Sequence, residues 1–115
     1  MELPQNPYIP SHKLIDTKIQ EIYLIHPAIR TAETQSAQNA NTYMYFFTWP
    51  SPFLGQNLGS CHITEIPFVF GMLEIPGWGI FSGKGEEANK LCENIMDAWI
   101  QFARTGNPSH ERIPE

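Results

Sequence analysis

The chain has 115 residues, of which 42% are hydrophobic, and a formal net charge of −5. That length suits one domain or part of one, and the apolar content is enough for a packed core, which argues against a disordered chain. Seven Lys and Arg residues, with no basic stripe, argue against nucleic acid as a partner, and no run of about eighteen apolar residues is present to form a membrane span.

The first twenty residues open irregularly, because Pro4, Pro7 and Pro10 block regular structure. Met1-Glu2-Leu3-Pro4-Gln5 has neither a basic start nor an apolar run, so it does not read as a signal peptide, and it specifies no compartment. A first helix is predicted to begin near Pro27, since proline is tolerated at the first helical position. Ala28, Ile29, Ala32 and Ala37 give it a narrow apolar face, and Asn39-Ala40-Asn41 ends it with turn formers. Residues 43–47, Tyr-Met-Tyr-Phe-Phe, form a short, unalternating aromatic run. Such a run reads as a strand buried on both faces, as in a parallel sheet, with a buried helical turn as the alternative. Trp49-Pro50-Ser51-Pro52 stops it.

Residues 50–61 read as a loop, and Glu65 to Gly71 as a short apolar piece, helical or extended, closed by glycine. Residues 72–85 hold four glycines and Pro76 and are expected to be a surface loop. The clearest element is a helix over about 86–105. Ala88, Leu91, Cys92, Ile95, Trp99, Phe102 and Ala103 follow helical spacing, Glu86 and Glu87 suit the positive end of its dipole, and Thr105-Gly106-Asn107-Pro108 supplies the stop. A strand buried on both faces needs neighbours that this chain does not offer, so the chain is expected to be incomplete as a domain.

Among the four histidines, His12 and His110 lie in polar, proline-rich ends and are expected to be solvated. His26 precedes Pro27 and suits a structural place at a helix start. His62 follows a loop leaving the predicted strand, where ligands bind in α/β sheets, and histidine is the usual general base near neutral pH. Cys61 beside His62 does not make a Cys–His pair, because adjacent residues on an extended segment point to opposite faces. His62 and Glu65 are half a metal motif with no second histidine near, so no metal and no cofactor are expected. Ser82 in Gly79-Ile80-Phe81-Ser82-Gly83 lacks the spacing of a nucleophile elbow. Cys61 and Cys92 are too few for a disulfide scaffold and read as free thiols, a mutual bridge being the alternative.

Four stretches together resemble the type B carboxylesterase and cholinesterase-like family of α/β-hydrolases. They are residues 27–33 (Pro-Ala-Ile-Arg-Thr-Ala-Glu), residues 43–47, residues 59–71 (Gly-Ser-Cys-His-Ile-Thr-Glu-Ile-Pro-Phe-Val-Phe-Gly) and residues 95–108 (Ile-Met-Asp-Ala-Trp-Ile-Gln-Phe-Ala-Arg-Thr-Gly-Asn-Pro). Each is modest alone, but four in family order are specific. The resemblance implies an α/β fold of which residues 1–115 are the C-terminal portion of the hydrolase domain: one buried late sheet strand, the catalytic-histidine loop and a long C-terminal helix. It implies that His62 is the catalytic histidine of a Ser–Asp/Glu–His triad and that Glu65 supports it through hydrogen bonding without taking protons. A solvated carboxylate is the plain alternative for Glu65.

In these hydrolases chain order is Ser, then acid, then His, so nucleophile and acid are expected before Met1 and the chain alone is expected to be inactive. The implied reaction is acyl transfer from a small-molecule ester. A non-catalytic cholinesterase-like adhesion or binding domain is the competing reading, and a stand-alone helical interaction module is a third.

Overall fold

The computed structural model describes residues 21–56 and 58–113 and falls into two compact units, Met1–Met44 and Tyr45–Glu115. In the first, a π-helical turn, Glu21–Ile25, runs into an α-helix, α1, His26–Ser36. Pro27 explains the junction. Its missing N–H cannot reach the carbonyl four residues back, and a wider turn accommodates the ring. Helical structure therefore begins ahead of Pro27, earlier than expected. Thr31 and Thr34 each donate back to the carbonyl four residues earlier, at 2.8 Å. The helix ends slightly ahead of the predicted asparagines. Asn39 still makes the turn, its side-chain oxygen accepting the Asn41 N–H at 2.9 Å. No residue of α1 is buried, so its narrow apolar face lies open.

The second unit is built on a long helix. Two short helices, α2 (Ile66–Val69) and α3 (Trp78–Ser82), precede α4 (Glu86–Thr105), whose bounds match the sequence reading. The Lys90–Glu86 ion pair on α4 is exposed and contributes at most a few tenths of a kcal/mol. At its C-terminus Gly106 is left-handed, φ 78°, and its N–H bonds the Phe102 carbonyl at 2.7 Å. That is the glycine cap expected of this sequence.

Phe68, Leu73, Ala88 and Cys92 form the core, with Phe47, Trp49, Leu91, Ile95 and Met96 packed around it. Phe68 is 0% exposed, and burying such a ring contributes about 1.5–3 kcal/mol. Its ring meets Phe47 at 5.2 Å and Trp49 at 5.8 Å between centroids. A glycine closes α2 as expected. The Gly71 N–H reaches Phe68 O at 3.4 Å, and the Met72 N–H reaches Pro67 O at 2.7 Å. These paired bonds define a Schellman cap. Gly71 sits at φ 64°, a conformation that favours glycine, and a Cβ there would come within 2.9 Å of the Met96 sulfur, so the Met96 side chain would have to shift.

Two expectations are corrected. Residues 43–47 do not form a buried strand: they carry no regular secondary structure, and Tyr43, Met44, Tyr45 and Phe46 are exposed, Phe46 by 68%. Among the described residues the β-bridging is one isolated pair, His110 with Ile113. A strand is defined by its partners, and this run has none there. Within the second unit it nevertheless alternates. Tyr45 meets Trp99 edge-on at 6.1 Å and Phe47 and Trp49 face Phe68, while Phe46, Thr48 and Pro50 lie exposed. Phe47 and Trp49 are thus packed on the helices, while the opposite side of the segment is bare.

Residues 72–85, expected to be a surface loop, contain α3 and the core residue Leu73. Gly77 and Gly83, both at positive φ, reverse the chain on either side of α3. The Trp49 indole N–H donates to Ser82 O at 2.8 Å and the Ser51 hydroxyl donates to Phe81 O, fastening the helix to the preceding segment.

Phe46, Phe70 (69% exposed) and Ile80 (66% exposed) leave much apolar surface uncovered. Exposed surface of this kind drives association. The 115-residue chain expressed alone is predicted to elute as aggregates in size-exclusion chromatography and to melt without a sharp transition. A monomer with a cooperative melt would instead identify a self-sufficient domain.

Candidate active site

His62 lies on a turn, residues 62–65, immediately before α2, and its side chain is exposed. The turn is held from beneath by Thr64, which is 0% exposed. The Thr64 hydroxyl donates to Cys61 O at 2.7 Å, which leaves its oxygen to accept the Cys61 thiol at 3.2 Å. The Thr64 N–H also reaches Cys61 O, at 3.2 Å. Cys61 is therefore engaged with Thr64, in keeping with the expectation that it does not pair with His62. Both cysteines are free thiols. Burial, with help from Glu93, pushes the Cys92 thiol above its ordinary range, as suits an inert packing residue.

After the turn, the Glu65 carbonyl accepts the Phe68 and Val69 N–H groups at 2.9 and 3.0 Å, starting α2. The Glu65 carboxylate caps nothing. It lies close enough to the Tyr45 phenol to raise its pKa, adding to the larger effect of burial, while the Trp99 side chain opposes both. Among the described residues no carboxylate and no hydroxyl hydrogen-bonds the His62 ring. His62 and Glu65 thus share a turn without a direct bond between them.

The remaining candidates sit elsewhere. His26 is the first residue of α1 and is exposed. A depression of about 540 Å³ is lined by His26, Pro27, Ile29, Arg30 and Glu33. It draws its named lining from one helix and contains none of the turn residues, so it is not the candidate site. His12 lies outside the described residues. His110 is tied down, contrary to expectation: it is half-buried, with Nε2 3.2 Å from the Asn94 carbonyl and Nδ1 accepting the Arg112 N–H at 3.4 Å. Ser82 is fully buried inside α3 and cannot meet a substrate. Among the described residues no group of three or more His, Cys, Asp or Glu side chains is placed to hold a metal ion. None of the described helices is long and apolar enough to cross a membrane.

Sequence reasoning missed Thr64, Tyr45 and the backbone of Ile63. The signal for Thr64 was present: a threonine three residues after a cysteine, at a helix start, is suited to bond back to the earlier carbonyl. Ile63 sits at φ 71°, in the left-handed region that a β-branched residue rarely enters. No sequence pattern announces that.

Comparison with known proteins places the chain in a family. The family described as Carboxylesterase family matches residues 10–115. Para-nitrobenzyl esterase of Bacillus subtilis (strain 168) is 38% identical over 87 residues, covering 76% of this chain and 17% of that protein. Carboxylesterase 5A of Canis lupus familiaris is 32% identical over 99 residues, covering 82% of this chain and 17% of its own length. Bile salt-activated lipase of Bos taurus is 29% identical over 106 residues, covering 88% and 17%. The chain therefore spans about 17% of the length of these relatives. Because the family match extends over nearly the whole chain, the chain belongs to the carboxylesterase family, whose fold is the α/β-hydrolase.

Proposed function

We propose that this chain supplies the general base of a carboxylic ester hydrolase, with His62 as that base. The observation that carries the reading is an exposed imidazole on a turn whose neighbours are fixed, inside a carboxylesterase-family sequence. A catalytic histidine must be held within about half an ångström of its working position while remaining open to substrate. The buried Thr64 and the short α2 hold the backbone, and the ring stays free.

The nucleophilic serine and the acid belong to a longer protein in which residues 1–115 are the C-terminal part of the α/β-hydrolase domain. The short coverage of the relatives and the bare face of residues 45–50 support this arrangement. In that protein the serine hydroxyl attacks the ester carbonyl as His62 takes its proton. The tetrahedral intermediate collapses, and His62 returns the proton to the departing alcohol. Water then attacks the acyl-enzyme, losing its proton to His62, and the serine leaves protonated with release of the acid. A carboxylate on the other ring nitrogen fixes the tautomer. The substrate class is small-molecule carboxylic esters, and the chain alone is inactive.

In the complete protein, His62→Ala is expected to lower kcat for a p-nitrophenyl ester by several orders of magnitude. Retention of more than a tenth of the activity would overturn the assignment. Glu65 is proposed as a supporting group whose charge shapes the site without taking protons. Glu65→Gln should cost about 10- to 100-fold, by analogy with supporting residues at metal sites. A loss equal to that of His62→Ala, with circular dichroism and Tm unchanged, would make Glu65 a direct participant in proton transfer.

A further inference from the structure

Ile63 follows His62 on the same turn and adopts φ 71°. A left-handed backbone crowds any Cβ, and a β-branched side chain suffers most. Leu54 also has positive φ, but it is not β-branched and lies in the irregular turn Phe53–Gln56. The conformation of Ile63 is imposed by its neighbours. Its carbonyl accepts the Ile66 N–H at 3.2 Å, and Thr64 is latched to Cys61 on the other side. Strain of this kind persists where the surroundings over-determine it, and it collects at functional sites. The residue is 40% exposed, so part of its side chain is open to a ligand. Glycine would relieve the clash. The position instead carries a large apolar group, on the residue next to His62 in the chain.

We propose that Ile63 is a specificity-determining residue that offers its side chain to the apolar part of the ester's leaving alcohol. The inference rests on the esterase role of His62. A base that returns its proton to the leaving oxygen must lie within hydrogen-bond reach of it. The alcohol's carbon chain then starts beside the imidazole, and the residues adjoining His62 in the chain are the ones placed to border it. Of those flanking side chains, Cys61 is turned to Thr64 and Glu65 is charged, which leaves Ile63 as the apolar contact.

The test uses the complete protein and two acetates, methyl and benzyl. In Ile63→Gly the ratio of KM for benzyl acetate to KM for methyl acetate should rise about ten-fold, the low end for a lost apolar contact. The effect should fall on KM with little change in kcat, and Tm should not fall. Ile63→Val should keep the ratio within about two-fold of the parent, since it retains an apolar, β-branched side chain. An unchanged ratio in Ile63→Gly, or a drop in its Tm, would overturn the proposal. His62→Ala measured alongside separates the two readings. If that variant still hydrolyses both esters, the esterase role itself has failed. If it is dead while the Ile63→Gly ratio stays flat, only the role of Ile63 has failed.

Discussion

The side chain of Phe68 fills the space between the Tyr45–Trp49 segment and α4, and most of the order in the second unit traces to it. Four residues of helix have almost no stability of their own, because nucleation costs more than one turn of hydrogen bonds returns. α2 exists because its second and third residues, Pro67 and Phe68, are buried. Phe47 and Trp49 press on the ring from one side, and the Cys92 thiol bonds the Phe68 carbonyl at 3.3 Å. Gly71 then turns the chain at positive φ, beside the Met96 side chain.

The His62 turn inherits its rigidity from that anchor. Its C-terminal end, Glu65, is the N-cap of a helix that cannot unwind without exposing Phe68. Its N-terminal end is fixed by the Thr64 bond to Cys61, and the segment before it by the Ser60 hydroxyl donating to Phe47 O at 2.8 Å. Between the two anchors sit an exposed imidazole and a strained isoleucine. The backbone on both sides of the imidazole is thus fixed, and orienting the ring itself falls to the carboxylate proposed for its other nitrogen. The Glu65 carboxylate lies near the Tyr45 phenol, whose pKa partial burial and that carboxylate both raise.

Legibility in the sequence followed the range of the interactions involved. α4 was readable because its periodicity, charged ends and capping glycine are all local, and they agree. Gly71 closed its segment for the same reason. His62 was distinguishable from the other histidines by its place in a four-part pattern, without knowledge of Thr64 beneath it. The failures were of long range. Residues 43–47 have strand-like composition, yet composition cannot supply a partner strand, and the alternation that packs Phe47 but not Phe46 depends on where α2 and α4 lie. Residues 72–85 were dismissed on glycine content, although those glycines are the reversals that let α3 receive the Trp49 indole. His110 looked solvated because its neighbours in sequence are polar. Its actual neighbour, Asn94, is sixteen residues away.

That last contact changes how α4 behaves as a spring. After Gly106 the chain doubles back, and the His110–Ile113 pair closes a small loop. Arg112 reaches Glu93 and Asp97 while His110 reaches Asn94, all well before the helix end. Helices ordinarily fray from their last turn inward. Here the returning segment grips residues 93–97, so a fray starting at Thr105 meets a brace before it reaches the core-facing Cys92. The brace thus lies between the fraying end of the helix and the core face at Cys92, whose thiol bonds the Phe68 carbonyl.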